Sequence, residues 1–220
     1  TLKILCGVDR TSMDVCVGEK RARPPSTVPL EHIEITECDL LYSNSIQYLE
    51  NIADSLEAIN LSGCGMIDGM SAAYLAVCTT LVSIDLECTR IDDASVRVLS
   101  NGCKCLKQLG MGSCEGITEL ALWWLTPKPI VLRLLPQTVR VHFERYITET
   151  HQSDIMLTQL SIRACKGMNH TLVFPIIDTW PQLVHLDCGG ISGGYSYLDP
   201  CKWKETCYGV LRKCSLKTTQ

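Results

Sequence analysis

Aligning the chain with itself at a lag of 25 or 26 residues brings one pattern, LxxLxLxxC, repeatedly into register. It starts at Leu30, Leu56, Leu81, Leu106, Leu157 and Leu183. The apolar triplets read Leu30/Ile33/Ile35, Leu56/Ile59/Leu61, Leu81/Ile84/Leu86, Leu106/Leu109/Met111, Leu157/Leu160/Ile162 and Leu183/Leu186/Cys188. Spacing more than sequence places a seventh, degenerate unit near 126–156, where Val131 and Leu134 are followed by Pro136 in place of the third apolar residue. Behind the triplets, apolar residues recur three or four apart, as a helix requires: Ile67, Met70, Ala73 and Leu75; Ile91, Ala94, Val96 and Leu99; Ile117, Leu120, Leu122 and Leu125. Asp68 and Asp92 stand where an acidic residue suits a helix N-terminus. A strand, turn and helix of this length cannot bury its apolar face alone and must stack on its neighbours. The expected fold is therefore an α/β solenoid of about seven repeats over residues 30–191.

Cysteine keeps a fixed phase in this repeat. Cys38, Cys64, Cys114 and Cys165 lie eight positions after the opening leucine, and Cys88 arrives one residue early in a shortened turn. A small, weakly polar side chain fits inside the bend that leaves a strand, where a long or charged one would not. These five are expected to be structural thiols. A total of 14 cysteines would also fit a disulfide-stapled secreted protein. Their fixed phase, and a 46% hydrophobic content large enough for a continuous core, favour reduced thiols in an intracellular compartment. Cytosol, nucleus and mitochondrial matrix all satisfy that condition. Asn60-Leu61-Ser62 and Asn169-His170-Thr171 match the glycosylation triplet, a pattern that arises often by chance.

The blocks SLEAINLSGCGMID, CTTLVSIDLECTRIDDASVRVL and CKCLKQLGMGSCEGITELAL resemble the cysteine-containing class of leucine-rich repeats, found in F-box/leucine-rich-repeat proteins and related intracellular proteins. Cys78 and Cys103 match the extra cysteine that this class places three residues before the opening leucine. The resemblance runs from Leu30 to about Ile191, strongly from Ser55 to Leu125 and weakly from Thr126 to Met156. It implies a curved, right-handed horseshoe segment, and it speaks for fold rather than function.

The ends depart from the repeat. Residues 1–29 hold Glu19-Lys20-Arg21-Ala22-Arg23-Pro24-Pro25, read as an N-terminal extension and proline-rich linker because Pro continues neither a helix nor a central strand. A localisation signal is the sharper reading of its basic run. Residues 192–220 are expected to form a C-terminal cap over the last layer, with Trp203, Cys207, Leu211 and Cys214 on one face of a helix.

Few residues point to chemistry. The formal net charge of −4, with Lys and Arg scattered, provides no basic stripe for phosphates and argues against nucleic acid. No apolar run reaches the ~20 residues of a membrane span; the longest, Leu120 to Leu135, is broken by Pro127, Lys128, Pro129 and Arg133. The five histidines show no HExxH spacing, and no P-loop, GxSxG element or dinucleotide fingerprint occurs, so neither an enzyme nor a cofactor is expected. Cys103, Cys105, Cys201, Cys207 and Cys214 lack the paired CxxC spacing of a structural zinc site, so no metal is expected. Trp123 and Trp124 either fill the joint before the degenerate repeat together, the favoured reading, or leave one ring exposed as an interface anchor.

Seven strands at ~4.8 Å spacing would make a concave sheet roughly 30 Å across, a width that suits a protein partner. Strand alternation turns His32, Glu34, Asn60, Asp85, Gln108, Arg133, Gln159, His185 and Asp187 outward, with Glu87 and Arg163 in the next row. Acid in the N-terminal half (Glu34, Asp85, Glu87) and base in the C-terminal half (Arg133, Arg163) would orient such a partner. The expected function is a non-catalytic scaffold or accessory subunit of a multiprotein assembly, with small mitochondrial leucine-rich-repeat proteins as a precedent for the resemblance. The alternative is the substrate-recognition part of an F-box ubiquitin-ligase receptor. An F-box needs ~40 helical residues ahead of the repeats, and the 29 residues before Leu30 are too short and proline-rich to supply it.

Overall fold

Six three-residue strands lie side by side in one parallel sheet: β1 (His32–Glu34), β2 (Ala58–Asn60), β3 (Ser83–Asp85), β4 (Gln108–Gly110), β5 (Gln159–Ser161) and β6 (His185–Asp187). This is a computed structural model, and it describes residues 29–126, 154–178 and 180–191, the backbone of 203–207 and 210–213, and the single positions 137 and 141. Each strand pairs with the next residue for residue, so that Ile33, Ile59, Ile84, Leu109, Leu160 and Leu186 form one column across the sheet. All six are buried, because the middle residue of each strand points away from the open face. The opening leucines Leu56, Leu81, Leu106, Leu157 and Leu183 occupy a second buried layer, and Leu61, Leu86, Met111, Ile162 and Cys188 a third. Burial of each such leucine contributes about 1.5–3 kcal/mol, which is how a repeat with three-residue strands holds together. At the first coil Leu30 and Ile35 are only partly covered, since no described coil precedes them.

Helices back the sheet. After a 3-10 helix at Ser43–Ile52 come α1 (Gly69–Leu75), α2 (Asp93–Gly102), α3 (Glu119–Leu125) and α4 (His170–Asp178), each packed on its predecessor. Their starts are fixed by side chains that satisfy orphan N–H groups. Asp68 accepts from Met70 N at 3.0 Å and Thr118 from Leu120 N at 3.2 Å. Asp92 and Ser95 form a reciprocal capping box. A second, sparse ladder joins the helix starts through Asp92 with Gly116 and Thr118 with Gly167. A Cβ on Gly116 would lie 2.9 Å from Ile91 O, and one on Gly167 2.7 Å from Ile117 O, so the coils approach too closely there for any side chain.

Two expectations are corrected. Residues 131–136 lie outside the described residues, but β4 pairs directly with β5, Gln108 opposite Gln159, and α3 packs on α4. Among the described residues the parallel sheet therefore has six strands, and no strand lies between Gln108 and Gln159. Trp180 ties α4's coil to the end of α3: its Nε1 donates to Thr126 Oγ1 at 3.3 Å, while that hydroxyl donates to Leu122 O at 2.7 Å. At the other end, Trp203 to Lys213 contribute two strands, β7 (Trp203–Cys207) and β8 (Val210–Lys213), rather than a helix. They pair antiparallel, and β8 pairs antiparallel with β6, Leu211 opposite Leu186. The open edge of β6 offers unpaired N–H and C=O groups that a helix would leave unsatisfied, and a strand satisfies them. Residues 1–28, most of 127–153, and 192–202 lie outside the described residues, so the N-terminal linker and part of the C-terminal segment are not placed.

Candidate functional site

The open face of the sheet is made by the residues flanking each buried middle position. One row runs His32, Ala58, Ser83, Gln108, Gln159, His185 and the other Glu34, Asn60, Asp85, Gly110, Ser161, Asp187, each aligned across neighbouring strands by the register. Small residues interrupt both rows, Ala58 and Ser83 in the first and Gly110 and Ser161 in the second. They leave a hollow of about 430 Å³ lined by Asp85, Glu87, Gln108, Gln159, His185 and Asp187, among others. Sequence reasoning had named all six. Strand alternation turns Ser83, Gly110 and Ser161 outward as well, and they make room for the hollow, but small residues advertise no chemistry in a sequence.

Several polar groups on this face also shape the turns below it. Asn60 Oδ1 accepts from Ser62 N at 3.0 Å, Asp85 Oδ1 from Glu87 N at 3.0 Å, and Asp187 Oδ1 from Gly189 N at 3.1 Å. These are Asx turns, which end a strand after three residues by giving the next N–H a local partner. Glu87 reaches across β4, where Gly110 and Gly112 leave room, and accepts a hydrogen bond from Ser161 Oγ on β5. Arg163 lies 3.7 Å from Asp187 and is thereby engaged by the sheet's own acid. His32 and Glu34 sit exposed on the edge strand β1, outside the lining of the hollow. Arg133 lies outside the described residues. Arg163 is paired with Asp187 and Arg133 is not described, so Arg163 alone stands for the positive half of the expected gradient among the described side chains.

The bends behave differently at one position. Cys64, Cys114 and Cys165 are buried, and their thiols donate to carbonyls of the preceding coil: Ile35 O at 3.1 Å, Leu86 O at 3.2 Å and Met111 O at 3.2 Å. Cys38 is half-buried at the first coil. Cys88, expected among the structural thiols, is exposed instead. Thr89 takes the interior position and donates to Leu86 O at 2.6 Å. The coil keeps its count from the third apolar residue, and Cys88 falls on the left-handed bend position, φ 55°, that Glu37, Gly63, Ser113, Ala164 and Gly190 occupy in the other coils. Burial pushes the thiols of Cys64 and Cys114 up, and those of Cys103 and Cys165 up to about 12. Cys103, at the end of α2, donates to Leu75 O at 3.5 Å.

A further network joins α2 to α3. Asp93 accepts from Thr118 N at 2.8 Å and from Thr118 Oγ1 at 2.6 Å. Burial raises the Asp93 carboxyl above its ordinary value, against the lowering effect of those hydrogen bonds. Trp123 and Trp124 are both buried, with the Arg97 guanidinium 4.6 Å from the Trp124 ring centre. Neither ring is left as an exposed anchor. Among the described residues, no three His, Cys, Asp or Glu side chains converge as they would around a metal ion, and no helix is long and apolar enough to cross a membrane.

No protein-family model and no curated protein matches the chain. Among solved structures, a chain in the crystal structure of the Rad7 and Elc1 complex in yeast is similar, with 15% sequence identity and a TM-score of 0.49. The match covers 74% of this chain and 34% of the other, so the chain spans about a third of that neighbour's length.

Proposed function

We propose that the chain is a leucine-rich-repeat module that performs no catalysis and holds a protein partner on the open face of its sheet, as a scaffold or accessory subunit of a larger assembly in an intracellular reducing compartment. One observation carries the reading: strands β3 to β6 present aligned polar side chains around an open hollow of about 430 Å³. Ligand pockets for small molecules are mostly apolar and enclosed. This hollow is open rather than enclosed and runs over several coils, which suits the flank of another protein.

The test is to fill the hollow. Ser83→Trp with Gln159→Trp places two indoles in it from β3 and β5, whatever the charge of the occupant. Tagged wild type and variant, purified from cells under native conditions and compared by quantitative mass spectrometry, should differ in one set of stoichiometric partners. Equal recovery of every partner would remove the sheet face from the account. Recovery of cullin-linker proteins would favour a ubiquitin-ligase receptor over a scaffold subunit.

A further inference from the structure

The hollow has a chemical sign. Asp85 and Glu87 leave β3 side by side and lean over β4, where a Cβ on Gly110 would meet Asp85 Oδ1 at 2.5 Å and one on Gly112 would meet Glu87 Cδ at 3.1 Å. Two carboxylates are thus spread over the centre of the face by two residues that have no side chain. Asp187 stands at one end of the row and Glu34, exposed on β1, at the other. Among the described side chains of the face, Arg163 is the cation that meets these acids, through Asp187, and the row of His185 continues to Arg212 on β8 and Lys204 on β7. Gln108 and Gln159 lie opposite each other on β4 and β5 and offer amide groups to a backbone.

The dimensions agree with one kind of occupant. From β1 to β6 the face spans roughly 24 Å at ~4.8 Å per strand, the length of about seven residues of extended chain. Because a recessed surface where one sign prevails focuses its field, the acidic part of the face around β3 and β4 draws a segment of opposite sign more strongly than scattered surface charge does. We propose that the open face takes an extended protein segment bearing lysine or arginine side chains, with its cations over Asp85 and Glu87 and its backbone against Gln108 and Gln159. The proposal rests on the reading of this face as the binding surface.

The probe is a fluorescein-labelled heptapeptide with lysine at alternate positions, alongside its glutamate counterpart, titrated with the full chain and followed by fluorescence anisotropy. The lysine peptide should bind, more weakly as salt is added, and the glutamate peptide should not. Glu34→Gln with Glu87→Gln removes two charges from the face, while glutamine keeps the carbonyl that accepts from Ser161. It should weaken lysine-peptide binding roughly ten-fold. Glu50→Gln with Asp54→Asn removes two charges from the exposed helical side and should leave binding within about two-fold of wild type. Equal losses in the two pairs would reduce the attraction to diffuse net charge and overturn the proposal, as would equal binding of both peptides or no binding of the lysine peptide. If the charge pairs change nothing while Ser83→Trp with Gln159→Trp still strips partners from the native assembly, the cationic segment falls and the protein-binding face stands.

Discussion

Gly102 sits at the end of α2 against the preceding coil, and replacing it with alanine sets two effects against each other. Alanine is worth roughly 0.8–1.0 kcal/mol over glycine inside a helix, so local propensity alone favours Gly102→Ala. The packing opposes it: an added Cβ would collide with the backbone oxygen of Ala76 and lie 2.6 Å from Ala76 Cβ and 2.7 Å from Ala76 Cα. Backbone atoms of a packed coil cannot swing aside as a side chain can, so the coils must part. Overpacking costs typically about 1–3 kcal/mol, and a clash with backbone that cannot yield takes the upper part of that range, about 2–3 kcal/mol. Set against the propensity gain, a net loss of about 1–2 kcal/mol is expected. With a urea dependence of roughly 2–3 kcal/mol/M, the unfolding midpoint should fall by about 0.3–1 M. Gly65 provides the matched control, because nothing lies within 4 Å of a Cβ built there. Gly65→Ala should be stabilising by about 0.4–1 kcal/mol through the unfolded chain. Urea unfolding followed by circular dichroism reads both. A Gly102→Ala chain as stable as wild type, beside a stabilised Gly65→Ala, would refute the close approach of adjacent coils.

Two other outcomes follow from burial. Iodoacetamide applied to the native chain should modify the exposed Cys88 and Cys105 well before Cys103 and Cys165, whose thiols burial holds near 12, because the thiolate is the reacting form; peptide mass spectrometry that finds Cys165 modified ahead of Cys88 would contradict the placing of Cys88 outside and Thr89 inside the coil. Asp93 has a carboxyl raised by burial, so its contribution to stability is complete below the unfolded value near ~3.9 and is lost as pH rises through the higher folded value. Asp93→Asn should therefore gain on wild type between pH 4 and pH 7 in urea titrations, and a stability difference independent of pH would contradict the cause assigned to that shift.

The sequence carried the layers of the coil and lost their exceptions. Leu56, Leu81 and Leu106 stand one strand apart because a period of 25 or 26 residues leaves one way to stack them, and that period is visible without coordinates. The bend at Cys88 was misread because the cysteine was followed rather than the count: the eighth residue after Leu81 is Thr89, as Cys64 is after Leu56. Thr89 fills the interior position but donates to Leu86 O of its own coil, where the thiols of Cys64, Cys114 and Cys165 donate to the coil before. The C-terminal strands were misread because Trp203, Cys207 and Leu211 repeat every four residues. What decides their state is the unpaired edge of β6, a tertiary fact that no local spacing records. On the open face, outward direction was legible from strand alternation. The partners of those side chains were not: Glu87 reaches Ser161, 74 residues away, only because Gly110 and Gly112 clear its path. Arg163, which spacing had assigned to the positive pole, likewise pairs with Asp187.

The direct pairing of β4 with β5 carries the most weight, since it makes one continuous face of strands 51 residues apart in sequence. Nuclear Overhauser spectroscopy on isotope-labelled chain measures it. Cross-peaks should link the backbone protons of Gln108–Gly110 with those of Gln159–Ser161, and the Met111 amide, which donates to Ser161 O at 3.0 Å, should exchange slowly with solvent. Cross-peaks that join Gln108–Gly110 to residues 131–136 instead would insert a seventh strand and break the hollow apart.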